Sequence, residues 1–191
     1  MAKPTLRERL IGGFAYFAES GVTIDSQVVS ATIKPDTSPA TNWTDGSLGT
    51  LLNFAFEREE QDSSFMAPQT QGGPYKKVNR KFVTQRSVMI ETREMGDLVF
   101  RLEHGLTAIA TGTAQTPGNV YDPKIEGWLR LQGRDLPGTD AFLLDWWCEV
   151  RLESKHKFDE KVPTPSLRFT LIDAVGGVLV AGNSINFPTG A

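Results

Sequence analysis

The chain has 191 residues, with 20 basic and 23 acidic side chains for a formal net charge of −3, a hydrophobic fraction of 39% and a single cysteine. That length suits one domain carrying arms, and the near balance of charge excludes the strongly basic surface of groove-reading DNA-binding proteins. The lone Cys148 excludes an internal disulfide and any cysteine cage around zinc, and its place in an apolar run makes it a buried small hydrophobe.

Taken in chain order, Thr5-Leu-Arg-Glu8 has the form of a capping box and predicts a short helix inside an N-terminal arm over residues 1–24, broken at Gly12-Gly13. Lys3, Arg7 and Arg9 ahead of Leu10–Ala18 imitate a signal peptide, but Glu8 and the glycine pair interrupt it and the small-x-small cleavage pattern is missing. No apolar run reaches the roughly 20 residues of a membrane span, so the chain is expected to fold and stay in a reducing cytoplasm. Residues 25–33 alternate, with Val29, Ala31 and Ile33 on one face, and predict a strand; residues 34–49 read as a loop carrying Trp43.

The central block follows. TLLNFAFEREE from Thr50 puts Leu52, Phe54 and Phe56 on one face and Asn53, Ala55, Glu57 and Glu59 on the other, a half-buried strand. Gln61 to Tyr75, with Pro68, Gly72, Gly73 and Pro74, reads as a long polar loop, and Lys76 to Glu91 as the return strand with Phe82, Val88 and Ile90 on its apolar face. Thr92 to Gly105 predicts a helix over about 93–104: Thr92 caps it, Met95, Leu98, Val99 and Leu102 form its apolar stripe, and Gly105 stops it. A Thr/Ala/Gly-rich loop over 107–119 leads to strands near 126–133, 142–153, 166–174 and 178–187, the last two joined across Gly176-Gly177. The expected fold is a single mainly β domain over residues 1–191: a β-sandwich or barrel of about seven strands, one flanking helix, and a long projecting hairpin loop over 61–75.

Chemistry is sparse. His104 sits in the last turn of the helix, where a cation suits the dipole, and His156 lies between two lysines in a charged turn. No nucleophile elbow, phosphate-binding loop, paired-histidine metal helix or dinucleotide fingerprint occurs, and Glu59-Glu60 reads as a solvated face, so neither catalysis nor any metal or cofactor is expected. Trp146-Trp147 invites a carbohydrate-binding β-sandwich, but strand neighbours point to opposite faces: Trp146 joins Leu144, Cys148 and Val150 in a core, while Trp147 joins Asp145, Glu149 and Arg151 at a rim or interface. Asn42-Trp-Thr44 is a glycosylation sequon by letter only.

From Trp43 to Leu106 the order of features is Trp43, Leu48-Gly49, a strand ending in EREEQD, a Gly-rich loop QGGPY, the basic strand KKVNRKFVTQR, then a strand and helix. This third of the chain resembles the major tail tube proteins of long-tailed phages. The resemblance implies a β-sandwich with a flanking helix, six copies to a ring, and rings stacked into a hollow tube in the virion tail through which double-stranded DNA passes at ejection. It implies as partners further copies of the chain together with tape measure, tail terminator and distal tail proteins. Under it, Asn53, Glu57, Glu59, Gln85, Ser87 and Glu91 line the lumen. The loop residues Gln61, Phe65, Met66, Gln69, Gln71 and Tyr75 join rings, and Glu60, Asp62, Lys76, Lys77, Arg80 and Lys81 set charge between subunits. The inner tube of a contractile tail or injection machine is the near alternative.

Overall fold

Strand periodicity dominates the described chain, which comprises residues 10–35, 46–48, 51–68, 73–92, 96–106, 108, 124–135, 140–153, 164–174, 178–179 and 182–186 of a computed structural model. Its elements are β1 (Leu10–Glu19), β2 (Thr23–Ile24), β3 (Gln27–Val28), β4 (Leu51–Pro68), β5 (Tyr75–Thr92), α1 (Asp97–His104), β6 (Ile125–Asp135), β7 (Asp140–Leu152), β8 (Ser166–Leu171), β9 (Asp173–Ala174), β10 (Val178–Leu179) and β11 (Ser184–Asn186). An antiparallel sheet runs β1-β6-β7-β8-β5-β4, with β11 sharing with β8 the second edge of β7. The sheet curls towards closure. A bridge joins Tyr16 of β1 to Ser47, just ahead of β4, and the Leu48 N–H donates to the Ala15 carbonyl at 3.0 Å. Phe17 meets Phe169 across the interior at 5.5 Å, and Trp146 touches the ring of Phe56, which is 52% exposed rather than on the buried face expected for it, at 6.1 Å. The mainly β, barrel-like fold expected from the sequence is the fold observed.

The inner face is apolar because alternate residues supply it. Val88 and Ile90 of β5, Leu129 and Leu131 of β6, Leu144 and Val150 of β7, and Leu167 and Phe169 of β8 are all fully buried in one cluster. Each such side chain contributes about 1.5–3 kcal/mol relative to exposure. Helix α1 adds Leu98, Val99 and Leu102 to that cluster, as its stripe predicts, and ends at Gly105 in the left-handed conformation with φ of 66°.

The centre of the sheet is covered on its outer face too. The chain after β1 turns through the two-residue hairpin β2–β3, whose central Asp25 and Ser26 both have positive φ, 49° and 63°, the geometry of a type I′ turn. The following residues lie over β6 and β7, where Ala18, Val29, Trp128 and Trp147 form a second buried cluster. The two indoles meet edge to face at 5.6 Å, and the Trp128 Nε1–H donates to the Ser30 carbonyl at 2.8 Å. Beside them Arg130 grips Asp145 with two hydrogen bonds of 2.8 Å, and Lys34 reaches the same carboxylate at 3.0 Å. Burial alone would raise the pKa of Asp145, but hydrogen bonds and charge from Arg130 and Lys34 outweigh it and hold the carboxyl below its usual range.

Several expectations are corrected. Leu10–Glu19 is a strand of the sheet, with Ala15, Phe17 and Ala18 buried, so an arm over 1–24 is excluded for that stretch; the helix expected at Thr5 lies outside the described residues. The single strand over 25–33 is replaced by the β2–β3 hairpin and a bridge between Ser30 and Ile33. A bulge at Leu52 leaves that residue exposed, and Leu51 packs against the core instead. Thr92 is the buried last residue of β5, and the N-cap of α1 is Gly96 without a side-chain cap. Trp147 is core rather than rim, 3% exposed, because β7 is buried on both faces. The strand over 178–187 is two pieces, β10 closing a hairpin with β9 and β11 pairing with β7.

The buried triad generates a stability prediction. Asp145→Asn leaves Arg130 and Lys34 without their counter-charge and is expected to cost about 3–5 kcal/mol in urea unfolding at pH 7. Because the folded pKa of Asp145 is depressed, its contribution is complete above the ordinary carboxylate pKa of about 4 and is lost as pH falls through the lower folded value. Wild type therefore loses stability below about pH 4 more steeply than Asp145→Asn; parallel curves would refute the assignment.

Candidate assembly surfaces

Two surfaces stand out, an arm and a polar sheet face. The arm is the outer half of the β4–β5 hairpin. Pairing between β5 and β8 ends at Ser87 with Thr170, while β4 and β5 stay paired as far as Pro68 with Tyr75. The expected loop over 61–75 is thus corrected: Gln61 to Pro68 and Tyr75 belong to strands, and only the residues between Pro68 and Tyr75 connect them. Gln69 and Gln71 lie outside the described residues. At about 3.4 Å per residue, residues 58–67 extend roughly 35 Å beyond the sheet. The stretch lacks the apolar alternation of a half-buried strand because both of its faces are exposed, and Phe65, Met66 and Tyr75 stand in solvent, the last two 60% and 68% exposed.

The two edges of the arm differ in sign. β4 carries Glu57, Glu59, Glu60 and Asp62, with Arg58 among them, and β5 carries Lys76, Lys77, Arg80, Lys81 and Arg86. Part of this charge is already paired inside the hairpin: Glu60 with Arg58 at 2.8 Å and with Lys81 at 3.4 Å. Arg80 sits over the Phe65 ring at 5.1 Å. Asp62 lies opposite Lys81 in register, and Lys76 and Lys77 lie opposite Ala67 and Met66 at the exposed tip.

The second surface carries the expected lumen residues. Asn53 pairs with Glu91, Glu57 with Ser87 and Glu59 with Gln85, so the six lie on one face in three polar pairs, with Ala55–Met89 between the first and second. The bulge that follows places its extra residue, Thr84, in β5, where its hydroxyl donates to the Glu59 carbonyl at 3.2 Å; β4 therefore keeps its alternation through Glu59. Ser87 is a correction, since at 5% exposure it is buried between Glu57 and Thr170 and lines nothing.

Register extends this face over three more strands. The row Glu57–Ser87 continues through Thr170 and Glu149 to Glu126, and the row Ala55–Met89 continues through Arg168 to Arg151. Ion pairs tie it together: Arg168 with Glu57 at 3.0 Å and with Glu153, Arg151 with Glu149 at 2.8 Å, and Lys124 with Glu126 at 2.6 Å. Six carboxylates (Glu57, Glu59, Glu91, Glu126, Glu149, Glu153) stand against three cations (Lys124, Arg151, Arg168), a net acidic sheet surface. Sequence reasoning assigned only its β4–β5 portion. The alternation of Glu149, Arg151 and Glu153 was the available signal for the remainder, but nothing in it shows that β7 and β8 continue the same face.

Other candidates are accounted for. Trp146 and Trp147 are 7% and 3% exposed, so neither presents a ring to a ligand. Burial pushes the Cys148 thiol far above its ordinary pKa. His104 stacks on Phe100 at 4.3 Å in the last turn of α1, and His156 lies outside the described residues. Among the described residues no group of three His, Cys, Asp or Glu side chains is arranged to hold a metal, and no helix is long and apolar enough to cross a membrane. No protein-family model and no curated protein matches the sequence.

The arm makes little contact with its own barrel, so its side chains should matter to association rather than to folding. Phe65→Ser with Met66→Ser is expected to change urea stability at low protein concentration by less than about 1 kcal/mol. The same change should lower the sedimentation coefficient at high concentration; loss of folding would show that the arm belongs to the core.

Proposed function

We propose that the chain is a non-catalytic structural subunit of a phage-type tail tube, assembling into six-membered rings that stack around a lumen able to pass DNA. The observation that carries this reading is the arm. A two-stranded hairpin is marginal by itself in water, and both of its backbone edges are open among the described residues. Edges of opposite sign favour head-to-tail contact between copies, and head-to-tail contacts are those that close into rings or extend into stacks. The acidic sheet face suits a lumen wall, because carboxylates offer phosphates no contact that holds them in transit. The resemblance of Trp43 to Leu106 to tail tube proteins points the same way, and the carbohydrate-binding alternative loses the tryptophan pair on which it rested.

Negative-stain microscopy of the purified protein tests the proposal: rings or hollow tubes are expected, and a monomer at every concentration would sink it. A charge experiment tests the lumen. Glu59 is exposed and outside the core, so Glu59→Lys should still assemble, and its tubes should retain duplex DNA at about 50 mM salt and release it near 200 mM. Equal DNA retention by wild type and variant would remove Glu59 from the channel.

A further inference from the structure

A cleft of about 450 Å³ opens between β2 and the first turn of α1, floored by Phe17 and Leu167 and walled by Val22, Ile24 and Leu98. It is apolar inside and acidic at its rim. Glu19 is held by Arg101 through a 3.0 Å hydrogen bond and a second contact, and Arg101 also reaches Asp97 at 3.1 Å. With Asp25, that places three carboxylates and one guanidinium around the opening. The arm tip is the complement: Phe65, Met66 and Tyr75 are exposed apolar groups, and Lys76 and Lys77 stand beside them.

The two features lie at opposite poles. Leu167 in the cleft floor pairs with Ile90 near the root of β5, whereas the tip begins at Tyr75 of the same strand. From 75 to 90 at about 3.4 Å per residue, tip and cleft of one chain are roughly 50 Å apart along the paired β4–β5 ribbon. The tip cannot fold back into its own cleft. We infer that the arm tip of one copy docks in the β2–α1 cleft of the next, its apolar side chains entering and its lysines meeting the acidic rim. Such a contact is heterologous, and because tip and cleft are different surfaces at opposite ends of β5 it can propagate from copy to copy. This inference deepens the assembly reading above by naming the receiving surface, and it rests on that reading only for the claim that the stack is a tube.

Disulfide trapping tests it. The native Cys148 is buried with a raised thiol pKa, so it stays out of exchange. Met66→Cys protein mixed with Val22→Cys protein should give an oxidised dimer on a non-reducing gel. Met66→Cys mixed with Phe100→Cys, exposed on the outer side of α1, should not. Lys76→Glu with Lys77→Glu should raise the concentration needed for assembly on the order of tenfold, and Asp25→Lys with Asp97→Lys should recover part of that loss. Tubes in the microscope without the 66–22 disulfide would overturn the docking and leave the tube reading intact. The disulfide in open filaments without a lumen would keep the docking and overturn the tube. Neither assemblies nor disulfide would overturn both.

Discussion

Strands β4 and β5 have 18 residues each, but β8, which supports β5, has six. Everything distinctive about the molecule follows from that mismatch. The supported half of the hairpin alternates apolar and polar residues because one side meets a core, with Phe54, Val88 and Ile90 inward and Asn53, Glu57 and Glu91 outward. The overhanging half has no inside, and its composition changes accordingly to charge on both legs with scattered apolar groups near the tip. The remaining strands close the barrel that anchors the root of this lever.

The barrel itself is held by two unlike clusters. The inner one is generic, a set of aliphatic and aromatic side chains whose burial scales with area. The outer one is specific: two indoles and an Arg130–Asp145–Lys34 triad fix the β2–β3 segment over β6 and β7. Lys34 and Asp145 are 111 positions apart, so this attachment staples early chain to late chain without a disulfide. Gly127 permits β1 to lie close against β6 there, since a Cβ at that position would meet the Ala18 carbonyl oxygen at 2.4 Å.

What the sequence made legible is what alternation encodes, namely burial on one side. Phe54 against Glu57 and Glu59, the stripe Leu98–Val99–Leu102 and the stop at Gly105 were all readable for that reason, whereas Phe56, expected on the buried face, stands half exposed. Residues 61–68 were not, because an extended segment bare on both faces has the polarity of a loop. Trp147 failed for the opposite cause: β7 is covered on both sides, and alternation then assigns half of its core to solvent. β1 was hidden by Gly12-Gly13 and by small buried residues on both of its faces, Ala15 inward and Ala18 outward. The turn at Asp25-Ser26 carries no glycine to announce its positive φ angles. Of the candidate surfaces, the β4–β5 pairs were visible in advance. Their continuation through Arg168 and Glu149, and the internal use of Glu60 and Lys81, depend on strand order and register that no local pattern contains.

The bulge at Thr84 sits where the hairpin leaves the support of β8. Bulges interrupt the ladder, bend the strand and sharpen its twist. The longest element of the protein is therefore most compliant at one defined place. A sideways load on the arm bends it at this joint, and the barrel beyond is spared the strain. Mechanically the subunit is a rigid body with a flexure, and a filament of such bodies would curve by small rotations at each joint while every core stayed undeformed.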